Sequence, residues 1–179
     1  MATTFYLRNS KIAISGYNFL AVARGAVAAS LTVNTVGGAT WIPINTWVTA
    51  PLNAFTLSGT INIQIRASEN NNAANAGIEC RMYKWSPSSG LSGAFLTLKQ
   101  ATELSTTDSS VTLSGTPTTT TFNNGDAIVI TVGITNIGTM GGSRTVTMTY
   151  DGPSANVTGD SYVTINENVV LKNRLIITE

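Results

Sequence analysis

The 179-residue sequence contains no histidine, a single cysteine (Cys80) and few charges, ten lysines and arginines against nine aspartates and glutamates. Without imidazole the chain cannot supply a Ser-His-Asp triad, a Cys-His pair, a histidine-ligated zinc or a histidine general base. One thiol can build neither an intrachain disulfide nor a thiolate metal cluster, so nothing demands an oxidising compartment. Charged residues are 11% of the chain, against about 25% in ordinary soluble domains. With a formal charge of +1 and no cationic run to neutralise a series of phosphates, nucleic acid is not an expected partner.

Long apolar runs and helical periodicity are missing too. Residues 19–33 (FLAVARGAVAASLTV) imitate a signal segment, with Ala26-Val27-Ala28 in the place of a cleavage site. Arg24 in the middle and a polar-rich lead ahead of it argue against an export signal. The run also falls short of the ~20 apolar residues of a membrane span, so no membrane partner is expected. No window longer than about ten residues carries the i, i+3, i+4, i+7 apolar pattern of a surface helix.

What remains is the vocabulary of strands and turns. Threonine, asparagine, serine and glycine dominate the small and polar part of the composition, while 42% of the chain is hydrophobic and mean hydropathy is +0.15. Two-residue alternation recurs. Residues 60–67 (TINIQIRA) put Ile61, Ile63 and Ile65 on one face, and residues 78–85 (IECRMYKW) send Ile78, Cys80 and Met82 inward. Residues 126–138 (DAIVITVGITNIG) line up Ile128, Ile130, Val132 and Ile134 after the turn signal Asn123-Asn124-Gly125. Val146, Met148 and Tyr150 alternate in the same way, which suggests a hairpin with residues 126–138 across the Gly-rich stretch 139–143. Residues 161–167 and 169–178 read as the last strands. Weaker strand candidates are 31–36, 54–57, 95–98, 111–113 and 118–122, the last including the threonine run 116–121, and residues 68–77 read as a loop or one helical turn.

These signals predict an all-β chain, an antiparallel two-sheet sandwich of jelly-roll type, since closely spaced turn signals without intervening helices leave no room for parallel crossovers. Pro43 and Pro51 argue against a long central strand near the start of the chain. Residues 1–50 are therefore expected to form an N-terminal arm and outer strands, and residues 51–179 the sandwich core, all within one compact domain.

Several residues invite a chemical reading. Asp126, Asp151 and Asp160 sit where loop oxygens could gather around calcium, but each neighbours a glycine in ordinary turn chemistry, and no metal or other cofactor is expected. Tyr83 and Trp85, outward beside Glu79 and Arg81, could form a flat platform for a sugar, and Trp41 and Trp47 share a parity. Glu79 with Glu69 or Glu103 could imitate a pair of catalytic carboxylates, although no spacing in the sequence fixes their separation in space. Asn156-Val157-Thr158 has the form of a glycosylation sequon.

An ordered succession of motifs carries a resemblance. Ala67-Ser68-Glu69-Asn70 runs into Ala73-Ala74-Asn75-Ala76, and a strand ends Met82-Tyr83-Lys84-Trp85. Thr121-Phe122-Asn123-Asn124-Gly125-Asp126 precedes an aliphatic strand, and Thr149-Tyr150-Asp151-Gly152-Pro153 leads to Gly159-Asp160-Ser161-Tyr162-Val163-Thr164. In this pattern residues 60–165 resemble β-sandwich virion proteins of tailed bacteriophages, of the head decoration or cement type. The resemblance implies a non-enzymatic structural protein on the outer surface of the capsid. Its implied partners are the major capsid protein and copies of itself, for instance as a trimer. Phe5, Tyr6, Leu7 and Arg8 are then expected to be an arm that docks on the shell or a sister subunit. The alternative expectation is a glycan-binding module of a tail or fibre, using Tyr83 and Trp85.

Overall fold

A computed structural model describes residues 1–12, 14, 16–25, 27–151 and 161–172. Among these, thirteen strands follow one another: β1 (Thr3–Lys11), β2 (Asn18–Ala21), β3 (Ala29–Asn34), β4 (Trp41–Thr49), β5 (Phe55–Leu57), β6 (Ile61–Glu69), β7 (Ala76–Ser86), β8 (Gly90–Lys99), β9 (Ser109–Gly115), β10 (Thr120–Phe122), β11 (Ala127–Asn136), β12 (Thr145–Tyr150) and β13 (Tyr162–Ile165). Among the described residues the sole helical element is a 3-10 turn, Asn72–Ala74, inside the stretch expected to be a loop or one helical turn. The chain is all-β, as its alternation predicts.

Eleven strands form one sheet in the order β3-β12-β6-β13-β1-β2-β4-β11-β7-β8, with β9 on the other side of β6, and β5 and β10 form a small second sheet. The large sheet curls over on itself. Ile61, Ile63 and Ile65 of β6 and Val146 and Met148 of β12 share one buried cluster with Ile78, Cys80 and Met82 of β7 and Ile128, Ile130, Val132 and Ile134 of β11. Strands that far apart in sheet order can share a core only across a sandwich. Each fully buried Ile or Leu contributes roughly 1.5–3 kcal/mol, so this shared layer is what holds the two halves face to face.

Four expectations need correction. First, residues 3–11 are not an arm. β1 lies between β13 and β2, pairing Phe5 with Val163 and Leu7 with Leu20. Phe5 and Leu7 are fully buried, so they hold the chain's own core and have no surface to offer a shell. Second, β11 and β12 do not make a hairpin. β11 pairs β4 and β7, whereas β12 pairs β3 and β6, so residues 137–144 arch from one half of the sandwich to the other.

Third, β4 is a long interior strand despite Pro43. The ladder to β11 slips between Val132 and Gly133, and Pro43 sits opposite Gly133 at that slip, where a missing donor costs little. The same slip separates the two tryptophans that share a sequence parity. Trp47 is buried in the core, while Trp41 lies on the opposite face under Arg81, whose guanidinium is 3.9 Å from the ring centroid. Fourth, the sheet is mixed: β2 runs parallel to β4. β3 intervenes between them and visits the far edge of the sheet, which gives the chain the crossover length a parallel pair requires.

Candidate functional site

Three loops converge at one end of the sandwich. Residues 70–75 carry the 3-10 turn, residues 100–108 join β8 to β9, and residues 137–144 form the arch. Asn71 caps the turn through its side chain, which accepts the Ala73 amide at 2.8 Å, and Asn75 closes it with φ 50°, a left-handed conformation that asparagine tolerates. The arch is stitched on by Ile137 N–H to Asn75 O (2.8 Å) and Gly141 N–H to Ala74 O (3.0 Å). A side chain at Gly141 would run into the Ala73 carbonyl, so the close approach depends on glycine. The β8–β9 connection is held by Leu104 N–H to Ala76 O (2.8 Å) and Glu69 N–H to Ser105 O (3.0 Å).

This convergence brings Glu69, at the end of β6, against Glu103. Glu69 is 1% exposed, and its Oε1 is buried without a hydrogen-bond donor facing it. Its carboxyl makes a side-chain hydrogen bond with Glu103, which requires one of the two to carry a proton. Burial is the largest influence on Glu69, followed by the hydrogen bond to Glu103 and the charge of Glu103. Together they raise its pKa to about 7, while the Ala76 amide, 3.5 Å from Oε2, pulls in the opposite direction. Glu69 therefore keeps its proton to higher pH than an ordinary carboxyl and is still partly protonated near neutrality, facing Glu103. The Asn75 amide donates to Glu103 Oε1 at 2.9 Å, fixing that carboxylate from a second side.

Glu103 is half-buried and faces an open cleft of about 290 Å³, lined by Gln100, Thr102, Ser105, Ser109 and Thr112 among others. A hydroxyl-rich cleft with one oriented carboxylate can accept a proton from a bound water or alcohol. Of the carboxylates singled out in the sequence, Glu69 and Glu103 come together and Glu79 does not. Glu79 is held by Arg81 at 2.6 Å, on the face where Arg81 covers Trp41.

The other candidates are spoken for. Asp126 Oδ2 accepts the Asn123 amide at 2.8 Å and faces Lys84 Nζ at 3.8 Å. Asp151 pairs with Arg8 at 2.6 Å and accepts the Asn9 amide at 2.8 Å. Among the described residues no three His, Cys, Asp or Glu side chains gather as a metal site. Asp160, the sequon at 156–158 and residues 173–178 lie outside the described residues. Tyr6 stands edge-on to Tyr162, with Arg24 over its ring, so it and Arg8 belong to contacts within the chain. Tyr83 and Trp85 are not a flat exposed platform. Both are half-buried and pack on a second small apolar cluster of Val48, Ala127 and Val129, with Ile12, Ile14 and Tyr17. Burial also raises the Cys80 thiol pKa far above its ordinary value, aided by the charge of Glu79, so Cys80 is a core side chain and not a nucleophile.

No family model and no curated protein matches the sequence. Solved structures do match. A CocE/NonD family hydrolase from Staphylococcus aureus overlays with TM-score 0.65 at 12% identity, over 96% of this chain and 36% of its own. An α-amino acid ester hydrolase gives TM-score 0.62 at 11% identity, over 92% and 36%. An aminopeptidase from a marine sediment Thaumarchaeota archaeon gives 0.64 at 9% identity, over 95% and 37%. The chain thus spans little more than a third of these proteins. Weaker overlaps with the Eiger TNF of S. frugiperda and with infectious bursal disease virus, at TM-scores of 0.40 and 0.36, share β-sandwich architecture and carry no argument. The likeness is one of fold, and it overturns two expectations drawn from the sequence: the non-enzymatic head decoration protein, with its tail or fibre alternative, and the assignment as not an enzyme. The sandwich is one that hydrolases use.

Proposed function

We propose that this β-sandwich serves in a hydrolase of esters or amides, with the cleft beside Glu103 as its substrate-facing surface. The observation that carries this reading is the overlay of more than nine-tenths of the chain on hydrolase structures at TM-scores of 0.62 to 0.65. These 179 residues hold no histidine, so a proton moved at this cleft is moved by another group, and Glu103 is placed for it. Its carboxylate takes a proton from water as the water oxygen adds to the acyl carbon, and returns it to the leaving oxygen or nitrogen as that bond breaks. Glu69 acts through Glu103 as a positioning residue, since it is itself closed off from the cleft.

The test is hydrolysis of nitrophenyl esters and aminoacyl nitroanilides by the purified chain, with Glu103→Gln and Glu69→Gln beside it. The reading expects turnover above the buffer rate, abolished in Glu103→Gln, and altered in its pH profile in Glu69→Gln. Rates equal to buffer on both substrate classes, together with no binding of either, would overturn it.

A further inference from the structure

The end of the large sheet carries information the cleft does not. Among the described residues, β3 pairs with β12 on one side and ends the strand order on the other. Its ladder is unbroken for six pairs, from Asn34–Thr145 to Ala29–Tyr150. The Thr35 amide donates to Arg144 O at 2.8 Å, and Thr32 Oγ1 lies 3.0 Å from Thr147 Oγ1, the closeness of a non-hydrogen-bonded antiparallel pair. By that alternation the backbone groups of Leu31 and Val33 point to β12, while those of Ser30, Thr32 and Asn34 point away from the sheet.

Natural sheets protect such an edge with charge, proline, glycine or a bulge. Residues 29–34 (ASLTVN) have none of these. The opposite end of the sheet is different: β8 carries Gly90 and Gly93, its ladder to β7 is twice irregular, and it packs beside β9. The bare edge is also flanked by two exposed valines, Val27 at 75% and Val36 at 57%. We infer that β3 pairs edge to edge with β3 of a second copy of this chain, antiparallel about a two-fold axis at Thr32.

The sequence of the strand argues for a copy of itself as the occupant. In that register Thr32 meets Thr32 and Ser30 meets Asn34, so every outward pair is small and uncharged, and about six new backbone hydrogen bonds form. Leu31 and Val33 meet on the other side. Val27 of one copy comes near Val36 of the other, since they differ by one residue from direct opposition. The arrangement is isologous and closes at two. It stands independently of the hydrolase reading.

Sedimentation equilibrium of the full chain over roughly 1–200 μM, a range suited to a small interface, tests it. The dimer fraction is expected to rise across that range. Thr32→Pro removes an outward N–H and the exposed hydroxyl contact with Thr147 but no hydrogen bond of the β3–β12 ladder, so it is expected to lower the melting temperature only slightly and to leave the chain monomeric; Thr32→Lys sets like charges opposite each other and does the same. Thr32→Cys, with Cys80 buried, is expected to give a covalent dimer on mild oxidation, because directly opposite residues of a hydrogen-bonded pair lie about 5.5 Å apart at Cα. A monomer at every concentration, a trimer, or an oligomer unaffected by Thr32→Lys while the protein remains folded would overturn the proposal.

Discussion

The buried Glu69 carboxyl at the end of β6 stands against Glu103 of the β8–β9 connection, and the proton it retains makes stability depend on pH. The Glu69 pKa is raised in the folded state, from 4.5 to about 7. A carboxyl of this kind contributes no penalty while it is protonated in both states, and the folded state loses stability as pH rises from about 4.5 through about 7. A rise of that size corresponds to on the order of 3 kcal/mol. The wild-type melting temperature should fall over that window. Glu69→Gln, which keeps an N–H to face Glu103 and an oxygen to accept the Ala76 amide, should flatten the profile and equal or exceed wild type at higher pH. A wild-type profile flat across the whole window would mean that Glu69 does not retain its proton.

Gly133 marks the place where Pro43 is accommodated in β4. A Cβ built there stands 2.6 Å from the Ile42 carbonyl oxygen and 2.7 Å from Trp41 Nε1, so Gly133→Ala must push backbone apart or displace the ring from under Arg81. A cost of about 2–3 kcal/mol is expected from overpacking of this kind. Gly93→Ala is the control, since nothing lies within 4 Å of its Cβ position. Urea unfolding of the two variants should differ by most of that amount, and equal midpoints would mean that the slip in the ladder is not where the proline is absorbed.

The faces of the best strands are legible in the sequence because alternation is local. Ile128, Ile130, Val132 and Ile134 enter the core as their spacing requires, and so do Ile78, Cys80 and Met82. Partner choice is not local. The segment from Asp126 to Tyr150 contains nothing that distinguishes a hairpin from an arch, because both bury the same faces, and the difference lies in whether β12 finds β11 or the distant β6. β1 is hidden for a related reason: its two-residue alternation is short, and its partner β13 is the last described strand, far along the chain. The carboxyl pair can be nominated from sequence but not selected. Glu69, Glu79 and Glu103 look alike there, and only the folding of three loops onto one another decides that Glu69 meets Glu103 while Glu79 meets Arg81.

Cys80 offers a probe of how tightly the core is closed. It is fully buried between the sandwich halves, and its thiol pKa is raised by burial. Reaction with an aromatic disulfide reagent should be negligible in the native protein at mildly alkaline pH and complete in denaturant. In intermediate denaturant the labelling rate should follow global unfolding, because β7 lies between β11 and β8 and has no free edge through which to open. Rapid native labelling would show that β8 peels away on its own.

The small sheet of β5 and β10 is too short to stand by backbone pairing, and three phenylalanines explain why it persists. Phe122 stacks on Phe55 at 4.9 Å with 14° between the rings, and meets Phe95 edge-on at 6.0 Å. Three register pairs join the two strands, ending in Phe122–Phe55, so their docking rests on the aromatic contacts and on the full burial of Phe122. Phe122→Ala should cost about 3–5 kcal/mol, as for other buried aromatics. The stack itself is isolated by a cycle of Phe55→Leu, Phe122→Leu and the double variant, in which leucine retains most of the buried volume. A coupling of about 0.5–1.5 kcal/mol is expected for a ring pair of this geometry. Additive losses in chemical denaturation would mean that the rings contribute only buried area. In that case the second sheet would be held by Leu57 and Phe122 as separate anchors in the main core, and the stacked geometry would be incidental to its stability.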